Sequence, residues 1–78
     1  MRVRPGGWVA VRMPSDTWPV TIRVGRSDPM PAFVDHIRGD DGSVETWAKV
    51  RCPQLRPGRY QVVAATADGV VETRITVV

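Results

Sequence analysis

The sequence contains one cysteine and one histidine among its 78 residues. A single cysteine, Cys52, excludes an internal disulfide, and together with His36 it is too few to complete a tetrahedral Cys/His zinc site. No apolar stretch follows the charged N-terminus, so we expect no signal peptide. We therefore expect the chain to be synthesised in the cytoplasm. No apolar run approaches the roughly 18 residues that a membrane-spanning helix needs. We therefore expect no metal, cofactor or small-molecule substrate, and no membrane.

The chain is small, and its composition of 42% hydrophobic residues with seven glycines and seven prolines excludes a collagen or a coiled coil. A domain of this size buries only about 60% of the surface that its unfolded chain exposes. Because a disulfide and a metal are both excluded as sources of stability, association with copies of itself or with a larger protein is the expected source.

Apolar and polar side chains alternate along most of the chain, which is typical of half-buried β-strands. The sequence contains no stretch of ten or more residues with the apolar spacing of a helix. The predicted hairpin turns are Asp41-Gly42 and Asp68-Gly69. A sixth strand over 33–38 is short, and its alternation does not show which face is buried. The five clearer predicted strands are 8–13, 18–24, 44–52, 60–66 and 71–77.

Residues 55–64, Leu-Arg-Pro-Gly-Arg-Tyr-Gln-Val-Val-Ala, resemble the Leu-x-Pro-Gly-x-Tyr segment that enters the penultimate strand of immunoglobulin-like and fibronectin type III domains. In that family the tyrosine hydroxyl bonds back to nearby backbone, forming the tyrosine corner. The resemblance implies an all-β fold, a small immunoglobulin-like β-sandwich of six to seven antiparallel strands over residues 8–78. It covers residues 55–78, and the cysteine pair of antibody domains is missing.

Charge is distributed in blocks along the chain. Residues 1–26 carry a net charge of +4, residues 27–48 carry −4, and residues 49–78 carry +3. The acidic block argues against nucleic-acid binding, which usually uses basic groups without such a counterweight. The pattern fits a module that docks on an acidic host or on copies of itself. Residues 1–7 are expected to form a flexible arm with nothing to bury.

Several aromatic or apolar side chains fall on strand faces that the alternation turns towards solvent. Trp47 shares its face with Lys49 and Arg51, and exposed aromatic residues on a flat sheet mark interfaces. The alternative is that Trp47 packs under the proline-rich segment 29–31. The predicted partner-binding residues are Arg2, Arg4, Trp8, Trp47, Lys49, Arg51 and Val63.

Catalysis is not expected from the titratable residues of this sequence. Asp35 and His36 are adjacent, so on a strand their side chains point to opposite faces. Cys52 falls on the apolar side of its strand, where a thiol is inert. Asp40 and Asp41 lie in a turn, and their expected role is turn formation.

A disulfide-free, free-standing immunoglobulin-like domain with a flexible arm resembles the small accessory proteins that decorate the capsids of tailed bacteriophages. This resemblance implies a non-enzymatic, multi-copy protein that binds and reinforces a capsid shell and is carried on the virion. The alternative is a carbohydrate- or cell-surface-binding module that stacks sugars on Trp8, Trp18 or Trp47. Three tryptophans lining one groove would favour sugar binding, whereas one patch against a protein would favour assembly.

Overall fold

The computed structural model of the chain describes residues 1–14 and 18–78, and these residues fold into β-strands without a helix. The all-β prediction is therefore confirmed. No helix in this part of the chain is long and apolar enough to cross a membrane. Eight strands are present in the two ranges: β1 (Arg2–Val3), β2 (Trp8–Met13), β3 (Thr21–Val24), β4 (Met30–Pro31), β5 (Phe33–Arg38), β6 (Val44–Arg51), β7 (Gly58–Thr66) and β8 (Gly69–Val77).

The strand bounds agree with the prediction for β2 and β5 and differ at the ends of the others. β3 begins at Thr21, later than predicted, and Trp18 is 75% exposed although the alternation groups it with buried Val20. Pro19 has no N–H to donate to a ladder, so the strand starts only after it. The strands outnumber the expected six to seven because β1 and β4, of two residues each, were not predicted.

The strands form two sheets that share one core. The order is β1-β8-β7-β3-β4 in the five-stranded sheet and β2-β6-β5 in the three-stranded sheet. β1 runs parallel to β8, which corrects the expectation of wholly antiparallel pairing, and the other described pairs are antiparallel. The result is a β-sandwich-like arrangement, in which the inner faces of both sheets supply the core.

The core is rich in valine and isoleucine, whose branched side chains pack well on a pleated surface. Cys52 belongs to it, as the alternation predicts. Val44 is one of the alternate residues of β6 that face the core. It is nevertheless 56% exposed, because it is the first residue of the strand, beside the β5–β6 turn. The buried hydrophobic residues are Val3, Val9, Val11, Met13, Val20, Ile22, Val24, Ala48, Val50, Cys52, Val62, Ala64, Ile75 and Val77.

The N-terminal residues 1–7 differ from the expected flexible arm. Val3 is 5% exposed and belongs to the core, so the expectation that this segment buries nothing is wrong. Backbone hydrogen bonds connect it to β8, because Thr76 N–H donates to the Met1 carbonyl at 2.8 Å and Val78 N–H to the Val3 carbonyl at 3.0 Å. Pairing with a sheet edge satisfies backbone groups that a free arm would leave to water.

Tyr60 makes the contact that the resemblance to immunoglobulin-like domains implies. Its hydroxyl donates to the Arg56 carbonyl at 2.7 Å, four residues upstream. Gly25 packs against the same ring, since a Cβ at that position would lie 2.9 Å from Cδ1 of Tyr60. Gly25 also has a φ of +57°, which glycine adopts without steric cost. This corner fixes the entry of β7 into the five-stranded sheet.

We predict that Val3→Ala lowers the free energy of unfolding by about 1–2 kcal/mol, the loss expected for removing buried methyl groups. Arg2→Ala, on the exposed side of the same strand, is the matched control and changes stability by less than about 0.5 kcal/mol. Urea denaturation followed by tryptophan fluorescence measures both values. Equal stability of the two variants would contradict the docking of β1 in the core.

Candidate functional site

The outward surface of the three-stranded sheet brings aromatic and charged side chains together. Inward burial of Val9, Val11, Ala48 and Val50 turns their sequence neighbours outward, because successive side chains of a strand point to opposite faces. We call this surface the aromatic face, and it consists of Trp8, Ala10 and Arg12 of β2, Glu45, Trp47, Lys49 and Arg51 of β6, and Phe33, Asp35 and Ile37 of β5.

A cluster around Trp8 occupies one end of the aromatic face. The guanidinium carbon of Arg51 lies 3.8 Å from the centroid of the Trp8 ring, and Nζ of Lys49 lies 5.1 Å from it. Phe33 meets Trp8 edge to face, with ring centroids 6.0 Å apart and an interplanar angle of 87°. Each such cation–π or aromatic contact contributes about 0.5–1 kcal/mol at an exposed site. The cluster is therefore ordered, although Trp8 remains 41% and Phe33 65% exposed.

Trp47 lies at the middle of the face and is held by Glu45. The indole N–H of Trp47 donates to a carboxylate oxygen of Glu45 at 3.1 Å, and Arg12 pairs with the same carboxylate at 3.6 Å. Asp35 lies directly opposite Trp47 in the neighbouring strand and forms an ion pair with Lys49. Exposed ion pairs of this kind contribute little to stability, so their main effect is to orient the side chains.

The alternative position for Trp47, under the proline-rich segment 29–31, is not observed. Met30 and Pro31 form β4, which pairs with β3 at the edge of the other sheet. Trp47 instead lines a shallow groove with Met1, Ala10 and Val71. Its side chain is half-buried on the aromatic face.

Charge is graded along the aromatic face. Arg51 and Lys49 lie at the Trp8 end, whereas Glu45 lies at the opposite end, next to the turn that carries Asp40 and Asp41. Hydrogen bonds from the side chain and then the backbone of Ser43 hold the pKa of Asp41 below its ordinary value. The Asp41 carboxyl is therefore ionised at neutral pH, and one end of the face is basic while the other is acidic.

Four of the seven predicted partner-binding residues lie together on this face: Trp8, Trp47, Lys49 and Arg51. The other three lie elsewhere. Val63 is on the outer side of the five-stranded sheet between Arg23 and Glu72, and Arg2 is on the same side of that sheet, beside Thr76. Arg4 is exposed in the turn that joins β1 to β2.

Sequence reasoning missed Phe33 and Ile37, which are 65% and 53% exposed on the face. β5 is an edge strand, and its inward residues include exposed His36 and Arg38, so alternation alone does not distinguish its two sides. The register between β5 and β6 identifies the two residues, because it places Phe33 opposite Lys49 and Ile37 opposite Glu45. That register depends on a pairing that a single sequence does not reveal.

The titratable residues considered for catalysis lie apart from one another. Asp35 is on the aromatic face, whereas Nδ1 of His36 lies 3.4 Å from the hydroxyl of buried Thr46. The two side chains point to opposite faces because the residues are adjacent in a strand. Cys52 is 3% exposed, and its burial raises the pKa of the thiol. In the described ranges, His, Cys, Asp and Glu side chains form no group of three or more that could hold a metal ion.

Comparisons of the chain with protein-family models, with curated proteins and with solved structures find no match. The geometry therefore carries the functional argument. It offers a flat, ordered surface of aromatic, aliphatic and charged side chains that can pack against another surface. Its aromatic side chains and arginine are of the residue types that are enriched at protein–protein interfaces.

We predict that the stability of the protein falls as the pH rises above about 8.5, the ordinary pKa of an unfolded cysteine thiol. The folded state raises the pKa of Cys52, so it binds this proton more tightly than the unfolded state does. A proton held more tightly by the folded state makes the free energy of unfolding decrease with pH, by at most about 1.4 kcal/mol per pH unit. Urea denaturation between pH 7 and 10 measures this decrease.

Cys52→Ala is the control for this prediction, because it removes the thiol and leaves every other titrating group in place. The pH dependence of the variant should be shallower than that of the wild type above pH 8.5. Identical slopes for the two proteins would show that the thiol of Cys52 is not buried.

Proposed function

We propose that this chain is a non-enzymatic docking module that binds protein surfaces through its aromatic face. The observation that carries the proposal is the exposed cluster of Trp8, Phe33 and Arg51. Tryptophan and arginine are among the residues that contribute most of the free energy at protein interfaces. Exposed apolar patches on a folded chain mark interaction sites, so a covering partner explains the exposed rings.

The cluster is also arranged in advance for binding. Arg51 donates from Nη1 to the Gly6 carbonyl at 3.1 Å, so its guanidinium is held between the Trp8 ring and the turn after β1. Lys49 is held by its ion pair with Asp35. Side chains that are already ordered lose less conformational entropy on association, at about 0.5–1.5 kcal/mol for each one otherwise immobilised.

We also propose that the fold is immunoglobulin-like. If β2 to β8 are given the letters B, C, C′, D, E, F and G, the three-stranded sheet reads B-E-D, and the five-stranded sheet reads G-F-C-C′ with β1 added beside G. These are the orders of the two sheets in immunoglobulin domains, which place a tyrosine corner at the start of strand F. Tyr60 in β7, bonded to the Arg56 carbonyl, occupies that position and supports the proposal.

The setting that we propose is a multi-copy accessory protein on a bacteriophage capsid. The support is an analogy with small, disulfide-free accessory domains, together with the size of the docking surface. Eight residues of β6 at about 3.4 Å each and three strands of about 4.8 Å width each give the face an area of about 390 Å². A stable interface takes about 800 Å² per partner, so firm attachment requires many copies acting together.

The carbohydrate alternative is less well supported by the positions of the tryptophans. Arg51 covers one face of the Trp8 ring, where a sugar would stack. The indole N–H of Trp47 is already bonded to Glu45. Trp18 lies ahead of β3, in a segment that leads into the other sheet. The three rings are therefore not gathered along one groove, which was the arrangement that would favour sugar binding.

Sedimentation of the tagged protein in lysate from its source organism tests the proposal. We expect the wild type to sediment with large particles, and the double variant Trp8→Ala, Phe33→Ala to remain with small proteins. Each truncation removes a large aromatic side chain. Loss of such a side chain from the centre of an interface costs about 2 kcal/mol of binding free energy, or roughly 30-fold in affinity.

The matched control is the double variant Trp18→Ala, Val70→Ala, which removes two side chains that are 75% and 63% exposed but lie outside the aromatic face. It should sediment like the wild type, and circular dichroism verifies that both variants are folded. Co-sedimentation of the aromatic-face variant at the wild-type level, or a wild type that stays with small proteins, would contradict the proposed function.

A further inference from the structure

We propose that the aromatic face pairs with the same face of a second copy of this chain, with the strands of the two copies antiparallel and Trp47 at the centre. This inference rests on the proposed docking function and names the partner. Such a pairing is isologous, meaning that each copy contributes the same patch to a two-fold interface. It requires a surface that is complementary to itself after a half-turn.

The charges of the face have this complementarity. Lys49 is two residues before Arg51 and two after Trp47, whereas Glu45 is two residues before Trp47 on the same outward side of β6. A half-turn about an axis across the strands at Trp47 places Lys49 over Glu45 of the second copy. It also brings Arg51 towards the end of the second copy that carries the acidic β5–β6 turn. Opposite charges therefore meet along the length of β6.

The apolar residues follow the same symmetry. Phe33 lies in the row of Lys49 and Ile37 in the row of Glu45, both on β5. The half-turn that joins Lys49 to Glu45 therefore also places Phe33 over Ile37 of the second copy. These two side chains, 65% and 53% exposed in the single chain, would cover each other.

The like charges that meet on the axis are already neutralised within each chain. Asp35 and Arg12 lie in the row of Trp47, so each faces its own counterpart in the second copy. Asp35 is paired with Lys49, and Arg12 is paired with Glu45 at 3.6 Å. A pairing with parallel strands would instead place Lys49 over Lys49 and Glu45 over Glu45, which the charges oppose.

The size of the face sets the expected strength of the pairing. At about 390 Å² it is about half of what a stable interface takes per partner. We therefore expect a reversible dimer that forms at submillimolar to millimolar concentration and dissociates in the low micromolar range.

Sedimentation equilibrium from 10 µM to 1 mM in low salt tests the pairing. The wild type should rise from the monomer mass of 8.6 kDa towards twice that value. Lys49→Glu and Glu45→Lys should each weaken dimerisation at least tenfold, because each variant places like charges over one another. An equimolar mixture of the two should associate more strongly than either variant alone, since each changed residue then meets an opposite charge.

Arg74→Glu is the control, because it changes the same amount of charge on the outer side of the five-stranded sheet. It should dimerise as the wild type does, and circular dichroism of every variant checks that it is folded. A wild type that is monomeric at 1 mM would overturn the inference, as would a mixture that stays monomeric or equal weakening by Arg74→Glu.

The experiments distinguish failure of self-pairing from failure of the docking function. If the wild type is monomeric at 1 mM and sediments with large particles, but the Trp8→Ala, Phe33→Ala variant does not sediment with them, docking stands and self-pairing fails. If charge exchange restores a dimer but the protein sediments with no particle, self-pairing stands and docking on a host fails.

Discussion

The burial of one side of β6 is the constraint on which the rest of the structure depends. Thr46, Ala48 and Val50 face the core, so Trp47 and Lys49 must face solvent. A slip of one residue in the pairing with β2 or β5 would reverse every one of these directions and place charge in the core. The aromatic face is thus specified by the same alternation that specifies the fold.

The alternation explains how much could be predicted from the sequence. It predicted the outward direction of Trp47, Lys49 and Arg51, and the burial of Cys52, because β6 has a consistent apolar side. It could not assign β5, whose two sides are both largely exposed, and so it missed Phe33. The parallel pairing of β1 with β8 joins the two ends of the chain, and local pattern holds no information about such a distant contact.

In a chain without a disulfide, the same contacts that stabilise the fold also order the surface proposed for docking. Val3 closes the core at the N-terminus, and the turn after β1 then offers the Gly6 carbonyl to Arg51. Arg51 in turn covers the ring of Trp8. The edge strand that the sequence predicts as a free arm therefore helps to order the aromatic face. An interface built on packed strands is stiffer than one carried by loops, which favours a defined partner geometry.

The stacking of Arg51 on Trp8 beside Phe33 is the feature that most directly connects the fold to the proposed docking, and nuclear magnetic resonance measures it in solution. In the isotopically labelled protein at low micromolar concentration, the side-chain protons of Arg51 should be shifted upfield by the indole ring. Nuclear Overhauser effects should connect the rings of Trp8 and Phe33, whose centroids lie 6.0 Å apart. Random-coil shifts for Arg51 together with no effect between the two rings would contradict an ordered aromatic face.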